Sequence, residues 1–137
     1  MPLVPSDLRK NKMNQPDPST KKVVLVASDL MLGSNVSGAA AFLELEYRCV
    51  GTATDAIEQS VNKDCLLLVD LGTPDLNIQE LATGLSKDCL SKAIAYGPHV
   101  HIAKLEAAEK AGFGRVMSRG QFSAQVGPLM QEFKQGA

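Results

Sequence analysis

Two uninterrupted apolar runs dominate the hydrophobic pattern of the chain: Val23–Val24–Leu25–Val26–Ala27, and Cys65–Leu66–Leu67–Leu68–Val69 ending at Asp70. Runs without polar alternation are the mark of strands buried on both faces. Three shorter segments read as further strands: Arg48 to Gly51, Ala93 to Tyr96 stopped by Gly97–Pro98, and Arg115 to Ser118. Helical spacing fills the intervals. A stripe of Leu32, Val36, Ala39, Ala40, Leu43 and Tyr47 predicts a first helix. Thr52 or Thr54 caps a brief second one carrying Ala56, Ile57 and Val61, and Asp75 or Asn77 caps a third with Ile78, Leu81, Ala82 and Leu85. A fourth, through Ile102, Leu105, Ala108 and Ala111, stops at Gly112. The fifth uses Phe122, Val126, Leu129, Met130 and Phe133, with Pro128 inside the stripe, so it starts late or kinks there.

Five strands alternating with five helices imply an α/β fold, a doubly wound five-stranded parallel sheet with helices on both faces. Right-handed crossovers favour the flavodoxin-like strand order 2-1-3-4-5. Residues 1–20 hold prolines at positions 2, 5, 16 and 18 and show no sustained apolar period. They read as a disordered N-terminal tail, leaving residues 21–137 as one domain.

Composition narrows the function. The formal net charge of −1 sets up no long-range field for nucleic acid or an anionic membrane. No apolar stretch approaches the ~20 residues of a membrane span, and the start lacks the basic-then-apolar order of a secretory signal. Cys49, Cys65 and Cys89 form no CxxC or Cys/His ligand spacing, and Cys49 and Cys65 sit in apolar runs as small hydrophobes. These features predict a reduced, cytoplasmic protein.

In an open parallel sheet, ligands bind where the loops after the carboxyl ends of the strands converge. Here those ends carry Ser28–Asp29, Asp70, Gly97–Pro98–His99 and Ser118–Arg119. Two carboxylates facing one another require a cation, a proton or an arginine.

The segment Leu67–Leu68–Val69–Asp70–Leu71–Gly72–Thr73–Pro74 resembles the receiver domain of bacterial response regulators, in the strand that ends in the phosphoacceptor aspartate with Pro four residues on. The resemblance covers about residues 21 to 133. It implies Asp70 as the phosphoacceptor equivalent, and Asp29, Asp70 and the Gly72 carbonyl as a set that could hold Mg²⁺. The chain departs from the family at three places. Ser28 replaces the first acid of the acidic pair. Tyr96–Gly97 stands where a Ser or Thr hydroxyl is usual. Ser118–Arg119 stands where a Lys–Pro is usual. Phosphoryl transfer depends on positioned cations, and a guanidinium is not a positional equivalent of an ammonium. The chain thus reads as a degenerate, stand-alone receiver, not an enzyme, acting by contact with another signalling protein. By resemblance, its docking face is the fourth helix, fifth strand and fifth helix, with Lys104, Glu109, Lys110, Arg115, Gln131 and Lys134 exposed.

Several features have plainer readings. Asp70 could be a polar strand terminus, Asp29 a helix cap, and Arg119 an internal counter-ion that freezes the site without Mg²⁺. His99 and His101 lack a third zinc ligand and read as packing residues. Gly33 to Gly38 has phosphate-loop glycine spacing without the following Lys–Ser/Thr, and reads as a helix packed close to the sheet. Two other functions stay open. One is a phosphoacceptor regulator taking phosphate at Asp70 from a histidine kinase. The other is a small-ligand or nucleotide-binding protein using the Ser28 to Ser37 loop. The chain stops at Ala137 without a DNA-binding module, so direct gene regulation is not expected.

Overall fold

The computed structural model describes residues 21–28, 30–61 and 64–136. The expected N-terminal tail and the candidate acid Asp29 lie outside these. The order is β1 (Lys22–Val26), α1 (Leu30–Phe42), β2 (Glu46–Val50), α2 (Ala53–Ser60), β3 (Cys65–Asp70), α3 (Ile78–Gly84), α4 (Lys87–Lys92), β4 (Ile94–Gly97), α5 (Ile102–Ala111), β5 (Arg115–Ser118) and α6 (Arg119–Gln135). The strands form one all-parallel sheet in the order β2-β1-β3-β4-β5.

Strand periodicity sorts the core into two layers. Val23, Leu25, Leu66, Leu68, Ile94 and Tyr96 pack on one face beneath α1 and α6. Val24, Val26, Leu67, Val69 and Ala95 pack on the other beneath α2, α3, α4 and α5. The central strands β1 and β3 are buried at every position, as their unbroken apolar runs require. Each large side chain buried there stabilises by about 1.5–3 kcal/mol. These strands fix where β3 ends, and therefore where Asp70 stands.

Local chemistry moves several boundaries away from the sequence reading. The first helix stops at Phe42, and Tyr47 lies on β2 rather than on the helical stripe. Glu44 takes a left-handed φ of 60°, which turns the chain into the strand two residues early. Cys49 is exposed, because β2 is an edge strand with one face open. The interval between β3 and β4 holds two helices where one was expected. Asn77 caps the first through the Glu80 N–H, and Ser86 caps the second through the Cys89 N–H. Thr52, not Thr54, caps α2. The last helix does not start late; it begins directly at Arg119 and runs through Pro128. The missing N–H falls on an exposed side of a helix held by five buried apolar residues, so packing outweighs one lost hydrogen bond. Within the glycine-spaced segment, a side chain at Gly33 would meet Tyr47 and Leu25, whereas Gly38 faces open space. Only Gly33 belongs to the sheet contact.

Candidate functional site

Asp70 is the last residue of β3, paired in register with Tyr96, and only 5% exposed. A carboxylate so placed needs partners, and the turn after it supplies one. The Gly72 N–H donates to Asp70 Oδ1 at 2.8 Å. The Thr73 N–H and hydroxyl both donate to the Asp70 carbonyl, at 3.0 and 2.7 Å. Thr73 is itself buried, so its hydroxyl locks the turn that presents the carboxylate. The same loop continues through Asp75, held at a left-handed φ of 61°, a conformation Asp tolerates better than most residues.

The other carboxylate oxygen faces a cation. Arg119 Nη1 lies 3.7 Å from Asp70 Oδ2, with the arginine side chain 38% exposed. The geometry follows from the junction of β5 and α6. Ser118 closes the strand and caps the helix in one step. Its hydroxyl accepts the Gln121 N–H at 3.1 Å, while the Gln121 side chain accepts the Ser118 N–H at 3.0 Å. With no intervening loop, the first helical residue is aimed back over the carboxyl edge of the sheet. The pair is partly solvated, so its net stabilisation is about 1 kcal/mol or less.

Tyr96 is placed in the core and not in the open crevice. It is fully buried, and its ring stacks on Phe122 with centroids 4.2 Å apart and planes 4° from parallel. Its hydroxyl is the buried side-chain polar atom without a hydrogen-bond partner among the described residues. Burial first, and then the negative charge of Asp70, push its ionisation upward. The oxygen therefore stays a neutral O–H. Gly97, beside it, is buried and pairs with Ser118. A side chain there would touch Leu71.

The remaining candidates divide. Ser28 is exposed after β1. His99 is exposed and lines a hollow of about 360 Å³ between α5, β5 and α6 with Ile102, Met117, Ser118 and Gln121. His101 precedes α5 without capping it through its side chain. Among the described residues no group of three or more His, Cys, Asp or Glu is arranged to hold a metal. Gly33 to Gly38 lies inside α1 and forms no loop. The structure thus gathers Asp70, Gly72, Ser118 and Arg119 at one edge, with Tyr96 and Gly97 beneath. Sequence reasoning missed Thr73 and Phe122. Phe122 had a signal, its place on the last apolar stripe; the turn-locking role of Thr73 had none beyond its closeness to Asp70.

No protein-family model matches the chain, and no curated protein matches it in sequence. Solved structures match closely in fold. The receiver domain of NtrX from Brucella abortus superposes with a TM-score of 0.65 at 13% identity, over 84% of this chain and 99% of that one. The receiver domain of the sensor histidine kinase PA1611 from Pseudomonas aeruginosa PAO1, solved with magnesium coordinated in its active-site cleft, gives 0.67 at 13% identity, over 86% and 100%. A CheY-like response regulator receiver domain protein from Methanospirillum hungatei JF-1 gives 0.62 at 18% identity, again over 86% and 100%. The chain has the response-regulator receiver fold, of the CheY-like, flavodoxin-like kind.

Proposed function

We propose that this chain is a receiver-like signalling module that works by docking on another protein, without a conventional phosphorylation switch. The observation that carries the reading is the Arg119–Asp70 pair. A guanidinium fixed by the first turn of α6 already sits against the carboxylate that would accept phosphate. Two further features support it. The Ser118 hydroxyl is engaged in capping α6, and the Tyr96 hydroxyl is sealed under Phe122. The Tyr96 hydroxyl is turned away from the crevice, the Ser118 oxygen already accepts a backbone N–H, and the ammonium that would pair with an acylphosphate is replaced by a planar fork.

The oxygen donors suit Mg²⁺, a hard cation that takes carboxylates, carbonyls and waters. Asp70, the Gly72 carbonyl and, by resemblance, Asp29 would hold it, in competition with Arg119 for Asp70 Oδ2. When bound it would supply positive charge to oxygens at Asp70. The module is not an enzyme on this reading and acts in the cytoplasm. The docking face is α5, β5 and α6, where exposed Ile102 lines the His99 hollow, and where Lys104, Glu109 and Lys110 are open to solvent. The partner is another signalling protein.

Incubation with acetyl phosphate and Mg²⁺, followed by intact-mass measurement, separates the readings. The expected result is no phosphoryl mass gain. A gain abolished by Asp70→Asn would establish Asp70 as a working phosphoacceptor instead.

A further inference from the structure

At the start of β3, the other end of the strand from Asp70, two buried thiols meet. Cys65 opens the strand and Cys89 lies in the short helix α4; they are 1% and 6% exposed. Although the residues are 24 positions apart, Cys89 Sγ lies 4.0 Å from the Cys65 carbonyl oxygen. The thiols also hydrogen-bond to each other, Cys65 donating and Cys89 accepting. Ser60, the last residue of α2, brings its Oγ within 3.7 Å of Cys65 Sγ. Lys22 is buried beside Cys65, in register on β1, and donates to the Gln59 carbonyl at 3.0 Å. Lys92 follows Cys89 one turn later on α4.

These neighbours treat the two sulfurs unequally. Donation to Cys89, and then burial, push the Cys65 thiol up. At Cys89 the bond from Cys65 pulls the other way, and Ser60 and Lys92 add to it against burial and the charge of Asp88. The thiolate is the attacking form of a cysteine, and a neighbouring donor and cation favour it. Cys89 therefore has the surroundings of a nucleophile, and Cys65 those of the thiol that resolves its product. A buried cysteine by itself is an inert small hydrophobe; here each has the other as its partner. The small opening left at Cys89, in a helix of six residues, suits a small oxidant.

We infer that Cys65 and Cys89 are a redox-active dithiol, which a small hydroperoxide oxidises to an intramolecular disulfide. The Cys89 thiolate attacks the peroxide oxygen, so that an S–O bond forms, the O–O bond breaks and hydroxide leaves. Cys65 then attacks the sulfur of the Cys89 sulfenic acid, forming the S–S bond as the S–O bond breaks. The two hydroxides leave as water with the two thiol protons. Two thiols are oxidised by two electrons, and one hydrogen peroxide is reduced to two waters. The disulfide closes a ring around residues 66–88, which include Asp70 and its turn. No step uses the Asp70 carboxylate, so this chemistry stands apart from the docking function.

The test uses the full chain carrying Cys49→Ser, which removes the exposed third thiol on edge strand β2. Hydrogen peroxide should lower the intact mass by two hydrogens, dithiothreitol should restore it, and peptide mapping should join Cys65 to Cys89. Adding Cys65→Ser should stop the reaction at the sulfenic acid, which dimedone captures at Cys89. An unchanged mass, oxygen added without a cross-link, a bond only between chains, or oxidation only in urea would each overturn the inference. Should Cys65→Ser fail to fold, the peptide map of the protein retaining both thiols still decides.

Discussion

Tyr96 places a buried hydroxyl in the α1/α6 layer with no hydrogen-bond partner among the described residues. An orphaned buried hydroxyl costs about 1–3 kcal/mol, whereas the ring itself is stacked on Phe122. Tyr96→Phe keeps the ring and removes the orphan. It should raise stability by about 1 kcal/mol, read as a higher denaturation midpoint; a lower midpoint would mean the hydroxyl has a partner after all. Tyrosine also sets an alkaline limit. Burial, with Cys49 as a second cause, pushes Tyr47 up to about 12, and Tyr96 shifts the same way. The unfolded chain releases these protons near pH ~10 while the folded one retains them, so stability falls as pH rises from about 10 toward about 12. Urea midpoints measured across that window should decline, and Tyr47→Phe should flatten part of the decline. A flat profile in the unaltered protein would contradict the burial argument.

At the scale of elements, close approach matters more than propensity. A side chain at Gly114 would place its Cβ 1.9 Å from the Ser91 carbonyl oxygen, where the end of α4 meets the entry to β5. The Gly114 and Arg115 N–H groups donate to the Leu90 and Ala93 carbonyls across that junction, at 3.1 Å each. Because backbone and not a flexible side chain is in the way, Gly114→Ala should cost about 3 kcal/mol, at the upper end of overpacking effects. Thermal denaturation checks it, and a loss under about 1 kcal/mol would mean the junction yields. Most elements were legible in the sequence for reasons that now have structural counterparts. The runs at Val23 and Cys65 are unbroken because β1 and β3 are covered on both faces. Gly112 stops α5 because it alone there adopts φ 105°. What misled was short-range. Tyr47 falls on helical spacing yet lies beyond the turn at Glu44. The second helix before β4 was hidden because only Leu85 and the capping Ser86 separate it from Gly84. Cys49 reads as core from its neighbours, and only the strand order shows β2 to be an edge.

For the whole molecule, topology made the location of the site legible before its chemistry. Once the strand order is 2-1-3-4-5, the carboxyl ends of β3, β4 and β5 must converge, and Asp70, Gly97 and Ser118 with them. Direction was not legible. Nothing in the letters Tyr–Gly says that the hydroxyl turns down into the core, and nothing in Ser–Arg says that the serine caps while the arginine turns back to the acid. Those outcomes depend on α6 starting without a loop after β5. They also decide the function proposed, because they leave the carboxylate facing a guanidinium, with the Tyr96 hydroxyl turned into the core.

The most direct trial of that claim is a Mg²⁺ titration followed by amide NMR at Asp70, Gly72 and Arg119, run with and without beryllofluoride. With Arg119 acting as the resident counter-ion, beryllofluoride should add no saturable shift beyond that of Mg²⁺ alone. Saturable shifts at these three residues that spread into α5, β5 and α6 would contradict it, marking a receiver that still switches on acylphosphate formation.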